Sequence, residues 1–136
     1  MSSLHQRRFG FSIVELMVVV AIIAILSALA LPNFLRARKR AVAVLILADM
    51  KALEEAKMSY VINHKLNAGD EVSWEAIRPL LKEGLQLAQH DTPKDRFGNA
   101  IEIGDAKATP KLSQDTIDEL NDVAPAQQHF WTGYAP

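Results

Sequence analysis

Between Leu16 and Leu31 every side chain except Ser27 is apolar. No other feature of the 136-residue chain restricts its fold as strongly. Counting from Phe11 gives 21 residues, and a helix needs ~20 to cross a bilayer. Val and Ile are frequent here, which lowers helix propensity slightly in water. In lipid the backbone has no water to bond and must satisfy itself, so a helix is expected regardless. Pro32 then removes one helical hydrogen bond, and a bend or loosening is expected there.

Charge divides the chain unevenly. Up to Arg40 there are six Arg/Lys and a single acid, Glu15; beyond it nine bases face fifteen acids. A basic membrane-proximal end with an acidic remainder does not read as a nucleic-acid binder. If the apolar run belongs to a membrane, about 95 residues remain for a head with a small core. There is no cysteine, which removes disulfides, thiolate metal sites and Cys nucleophiles. His5, His64, His90 and His129 are scattered without zinc-type spacing.

Three readings of the apolar run compete. A cleaved secretory signal has a shorter apolar region and a small-x-small site, whereas Pro32-Asn33-Phe34 follows here. A plain membrane anchor accounts for the length and composition. The third reading must also account for Glu15. An ionised carboxylate costs several kcal/mol at depth, so an intramembrane acid needs a partner. The helix positions three and four residues on are Val18 and Val19, not bases. The partner must come from outside or from a newly made amine, and cleavage after Gly10 would make one on Phe11.

Arg7-Arg8-Phe9-Gly10 followed by Phe11-Ser12-Ile13-Val14-Glu15-Leu16 resembles the cleavage site of type IV pilins and type II secretion pseudopilins. In that family a short basic leader ends in Gly. A membrane peptidase cuts after it and N-methylates the new first residue, typically Phe. A Glu follows five residues into the mature chain. The resemblance implies cleavage between Gly10 and Phe11, methylation of Phe11, and an assembly role for Glu15. Pro32 also falls where the family often has a proline.

The flanking charge points the other way. Arg36, Arg38, Lys39 and Arg40 follow the run and only Arg7 and Arg8 precede it. A positive-inside count places the C-terminal part in the cytoplasm, whereas the resemblance implies leader inside and head outside. The four bases meet lipid headgroups or acidic neighbours in a filament, or are simply solvated.

After Pro32 nothing breaks a helix until Asn67-Ala68-Gly69-Asp70. Ile46, Met50, Leu53, Ala56 and Tyr60 form one apolar stripe, with Asp49, Lys51, Glu54 and Glu55 mostly off it. One helix is expected from about Phe11 to Leu66. The domain reading is a leader at 1–10, a transmembrane or filament-core helix at 11–32, an amphipathic spine at 33–66 and a small α+β head at 67–136.

In the head, Ser73 is a candidate N-cap for a helix over Trp74–Leu81, which Pro79 shortens or makes irregular, and Gly84 is a stop. Leu85–Leu87 reads as extended. Asp95 to Asn99 reads as a turn and Ala100–Ile103 as a short strand of a small antiparallel sheet. The turn partly resembles one in major pseudopilins, with Arg96, Phe97, Ala100 and Ile101 replacing the family's residues. Ser113 caps a helix over Gln114–Leu120, with Ile117 and Leu120 inward. The stretch His129–Tyr134 reads as a strand or loop that closes the core, or as an exposed partner patch.

No Gly-rich phosphate loop, nucleophile elbow or HExxH is present. No enzyme and no resident cofactor are expected. A calcium site by resemblance to the major pseudopilin loop would draw on Asp115, Asp118 and Asp122. The fold class is α+β and pilin-like: a long N-terminal helix and a small head of short helices with a small antiparallel sheet. The resemblance implies a structural subunit of a type II secretion pseudopilus or related filament. It would be a single-pass protein of the bacterial inner membrane, with a periplasmic head. Expected partners are the prepilin peptidase, copies of itself and other pilins or pseudopilins, the inner-membrane assembly platform and the membrane. The alternatives are a surface or DNA-uptake pilin and an anchored binding domain that never polymerises.

Overall fold

The computed structural model describes residues 11–82, 84–124 and 129–136. Three α-helices are present among them: α1 (Ile13–His64), α2 (Trp74–Ile77) and α3 (Gln114–Glu119). The chain divides into two compact units, Met1–Leu35 and Arg36–Pro136.

The first unit holds the N-terminal part of α1. Its first helical bond is donated by Leu16 N to Ser12 O at 3.1 Å, so the helix begins just after Phe11. Glu15 lies in its first turn, where a carboxylate complements the positive end of the helix dipole. Pro32 lies inside the helix rather than at its end. The missing N–H leaves the Ala28 carbonyl without its usual helical donor, yet the helix continues to His64.

In the second unit the rest of α1 buries Ala43, Ile46, Asp49, Met50, Leu53, Ala56 and Lys57. The expected stripe is there, with Tyr60 only half-buried. Val72, Trp74, Ile77, Leu81, Leu87, Ile101, Leu112, Ile117, Leu120, Trp131 and Tyr134 complete the core around it. The helix stops at His64, two residues before the expected end, because Lys65 takes a left-handed φ of 53°.

The expected helix over Trp74–Leu81 is two pieces. Pro79 has no N–H to bond the carbonyl of Glu75, so the chain tightens from α2 into a 3-10 turn over Arg78–Leu80. Leu81 N then bonds Arg78 O at 3.2 Å. Ser73 holds the extended N-cap geometry but makes no side-chain cap bond. Of Leu85–Leu87 only Leu85 is extended, at φ −66° and ψ 130°. Gln86–Gln89 forms a second 3-10 turn, in keeping with the helix preference of its Gln, Leu and Ala residues.

The expected antiparallel sheet is absent among the described residues, which contain only three isolated bridges: Glu71–Asp105, Lys94–Ala100 and Glu102–Lys111. Ala100–Ile103 therefore does not form a strand. Glu102 and Lys111 exchange both backbone bonds, at 2.9 and 2.8 Å, but the ladder cannot grow from that pair. On one side Gly104 has φ 69° and leaves the extended region. On the other, Ala100 is taken by Lys94 and Ser113 is the N-cap of α3. Ser113 accepts from Thr116 N as expected. The residues from His129 to Tyr134 form turns, not a strand. They close the core: Trp131 is buried and its Nε1 donates to Ala124 O at 2.9 Å.

Candidate assembly site

The sequence-predicted site residues fall into separate places. Gly10 lies outside the described residues. Phe11 precedes α1 and is 73% exposed, and Glu15 is exposed one turn further on. Among the described residues Glu15 makes no ion pair. From Phe11 to Leu35, sixteen large apolar side chains are exposed. Each is worth about 1.5–3 kcal/mol when buried, so leaving this surface in water costs tens of kcal/mol. By length and composition α1 is able to cross a membrane.

The second unit holds its loops against α1 with polar contacts as well as apolar ones. Asp49 is on the buried face, and its carboxylate takes two bonds from Arg96, Nε to Oδ2 at 2.8 Å and Nη2 to Oδ1 at 3.2 Å. The same guanidinium donates to Gln86 Oε1. Next to it, buried Asp95 organises the turn: Oδ1 accepts from Phe97 N and Asn99 N, both at 2.9 Å. Its Oδ2 accepts from the Thr116 hydroxyl, which itself accepts from Asn99 Nδ2 at 3.0 Å. Gly98, with φ 90°, supplies the left-handed position the turn needs. The turn expected at Asp95–Asn99 is thus formed, and Asp95 ties it to α3.

Lys57 is buried and donates to Ile103 O at 2.6 Å and Ala108 O at 2.5 Å. Burial holds its amine below the ordinary lysine range, while Asp105 and Glu54 nearby pull it the other way. Asp105 is held below the usual carboxylate value, first by backbone bonds from Ala108 and Lys107. Tyr134 donates to Glu54 Oε2 at 2.6 Å. Burial, and then the bond to Glu54, push the phenol up to about 12. Asp49, Lys57 and Arg96 are the residues that the sequence reading missed. Asp49 and Lys57 stand four residues either side of Leu53, on the inward face. That spacing was the available signal.

Of the calcium candidates, Asp115 lies exposed in the first turn of α3. Asp118 accepts from Gln114 Nε2 at 2.8 Å, and Asp122 sits 3.5 Å from Lys39 Nζ. Among the described residues no group of three His, Asp or Glu side chains gathers in a way that could hold a metal ion. Lys39 also reaches Glu119, at 3.6 Å from its carboxylate.

Residues 5–31 match the family described as "Prokaryotic N-terminal methylation motif". The matched stretch contains Gly10, Phe11 and Glu15. In this N-terminal segment the chain is similar to proteins of the type IV pilin family. It is 42% identical over 59 residues to the type IV major pilin protein PilA of Myxococcus xanthus, covering 43% of this chain and 27% of that one. It is also 42% identical over 55 residues to the type IV wide pilus major component PilA4 of Thermus thermophilus, covering 40% of this chain and 42% of that one. The chain therefore spans under half the length of either curated relative. No solved structure matches it. The head stands outside residues 5–31, the stretch that the family description covers.

Proposed function

We propose that the chain is a structural subunit of a type IV pilus-like filament, processed at its N-terminus and assembled from the inner membrane. The observation that carries this reading is the methylation motif at residues 5–31, followed by an apolar helical surface left wholly exposed in the isolated chain. Such a surface needs lipid before assembly and other copies after it. In this reading a prepilin peptidase cuts between Gly10 and Phe11 and methylates Phe11. The new amine meets the Glu15 carboxylate of a neighbouring copy. Neutralising a charge that would otherwise sit in apolar surroundings fixes the stagger between subunits. The segment from Phe11 to Pro32 spans the inner membrane once, with the head in the periplasm.

The finer reading is a type II secretion pseudopilus. It is supported by the absence of cysteine and by the Asp95–Asn99 turn, which partly resembles that of major pseudopilins. A surface pilus is the second reading, favoured by the two relatives, whose names describe major pilus components. N-terminal sequencing of the mature protein tests the shared reading. A start at methylated Phe11 is expected. A start at Met1 or Ser2 would instead make the chain a plain anchored domain. Deleting the gene and measuring secretion and surface fibres separates the two branches.

A further inference from the structure

Between Glu15 and Asp49 the chain carries no acid and four bases, all within Arg36–Arg40. These follow directly on the exposed apolar run. Lys39 turns to the head and pairs with Glu119 and Asp122. Arg36, Arg38 and Arg40 are exposed, and among the described residues none of them forms an ion pair. We infer that these three arginines bind the headgroups of anionic phospholipids and hold the helix at a fixed depth in the bilayer.

Two geometric facts favour headgroups over an acidic neighbouring copy. At about 100° per residue, Arg36 and Arg40 lie within about 40° of each other, and Arg38 lies about 160° from Arg40. The arginines therefore occupy opposite flanks of the helix. A single facing protein surface reaches one flank only, whereas a headgroup layer surrounds the helix and reaches both. Along the axis the three span about 6 Å, which matches the roughly 5–7 Å depth of one headgroup layer. The helical part of the spanning segment before them, Ile13 to Pro32, rises about 29 Å, close to the ~30 Å of hydrocarbon it must cross.

Lys39 completes the arrangement. Glu119 and Asp122 would repel an anionic surface, and Lys39 lies against both carboxylates and offsets about half of their charge where the head meets this part of α1. Arginine suits the remaining positions because its planar guanidinium bonds phosphate oxygens in pairs.

The inference rests on the membrane-anchoring part of the proposed function, and its test separates the two. The full chain is reconstituted into vesicles of phosphatidylcholine alone or mixed with phosphatidylglycerol. Flotation with both kinds of vesicle is expected; failure to float with either overturns the anchoring reading and this one with it. Spin-labelled lipids then report which headgroup the protein retains. Preference for phosphatidylglycerol of about fivefold or more is expected, the attraction of a single base near a membrane surface, and high salt should reduce it. The variant R36Q/R38Q/R40Q should lose the preference while still floating, and R36K/R38K/R40K should keep most of it. Equal retention of both lipids by the native chain, or an unchanged preference in the glutamine variant, overturns the inference. It is also overturned if the glutamine variant loses copy-to-copy cross-links while its lipid preference stays the same, because the arginines then serve an acidic neighbour.

Discussion

The guanidinium of Arg96 grips the carboxylate of Asp49 with two parallel bonds, joining the Asp95–Asn99 turn to the middle of α1. The side chains are 24% and 13% exposed, so water screens the pair only partly. An exposed pair is worth under about 1 kcal/mol, and breaking a buried one costs about 3–5. Arg96→Ala should therefore destabilise the folded chain by about 2 kcal/mol, read by chemical denaturation in detergent micelles. The double variant Asp49→Leu/Arg96→Met should cost less than the single one, because no lone charge stays buried. A double variant at least as unstable as Arg96→Ala would count against the geometry.

Lys57 makes a pH-dependent contribution with a definite sign. Its folded-state pKa lies below the ordinary 10.5, so the folded chain holds this proton less tightly than the unfolded one. Unfolding then takes up a proton, and this residue's contribution to stability rises with pH until 10.5 is passed. Lys57→Met should remove that rise and leave the carbonyls of Ile103 and Ala108 without their donor, at a cost of about 1–3 kcal/mol near neutral pH. Stability curves of both proteins between neutral pH and pH 10 check this.

Tyr134 works in the opposite sense. Its folded pKa is raised from 10.0 to about 12, so its contribution is complete below pH 10 and is lost as pH rises towards 12. An ultraviolet titration of tyrosinate should show a step near 12 from Tyr134. Glu54→Gln should move that step down, because both the charge and part of the hydrogen bonding are removed. Tyr134→Phe should abolish it and identify the residue.

At the N-terminus, Glu15→Val should leave membrane insertion intact and prevent filament assembly, seen as unchanged membrane fractionation with no sheared filament. Gly10→Leu should block processing, so that only the precursor band appears on a gel. Normal filaments from the Glu15→Val protein would remove the proposed pairing with Phe11.

The sequence was legible wherever one local rule decided the outcome. The apolar run, the stripe through Ile46, Met50 and Leu53, the cap at Ser113 and the turn around Gly98 all follow from spacing or backbone preference. It was not legible where a distant residue decided. The alternation of Ile101 and Ile103 suits a strand, yet strand pairing needs a partner edge. Gly104, the Lys94–Ala100 bridge and the start of α3 remove that edge. Asp49 and Lys57 look like solvated charges until Arg96 and the Ile103–Ala108 loop are brought against them from about fifty residues away.

The isolated bridges have a consequence for how such a head diversifies. A sheet binds its strands in one shared register, so lengthening one loop disturbs its neighbours. Here Arg96, Ile103 and Tyr134 each reach α1 through their own bond, at Asp49, Lys57 and Glu54 respectively. A change in one segment is therefore absorbed at its own attachment point. The outer surface can be rewritten piece by piece while the helix beneath it stays constant.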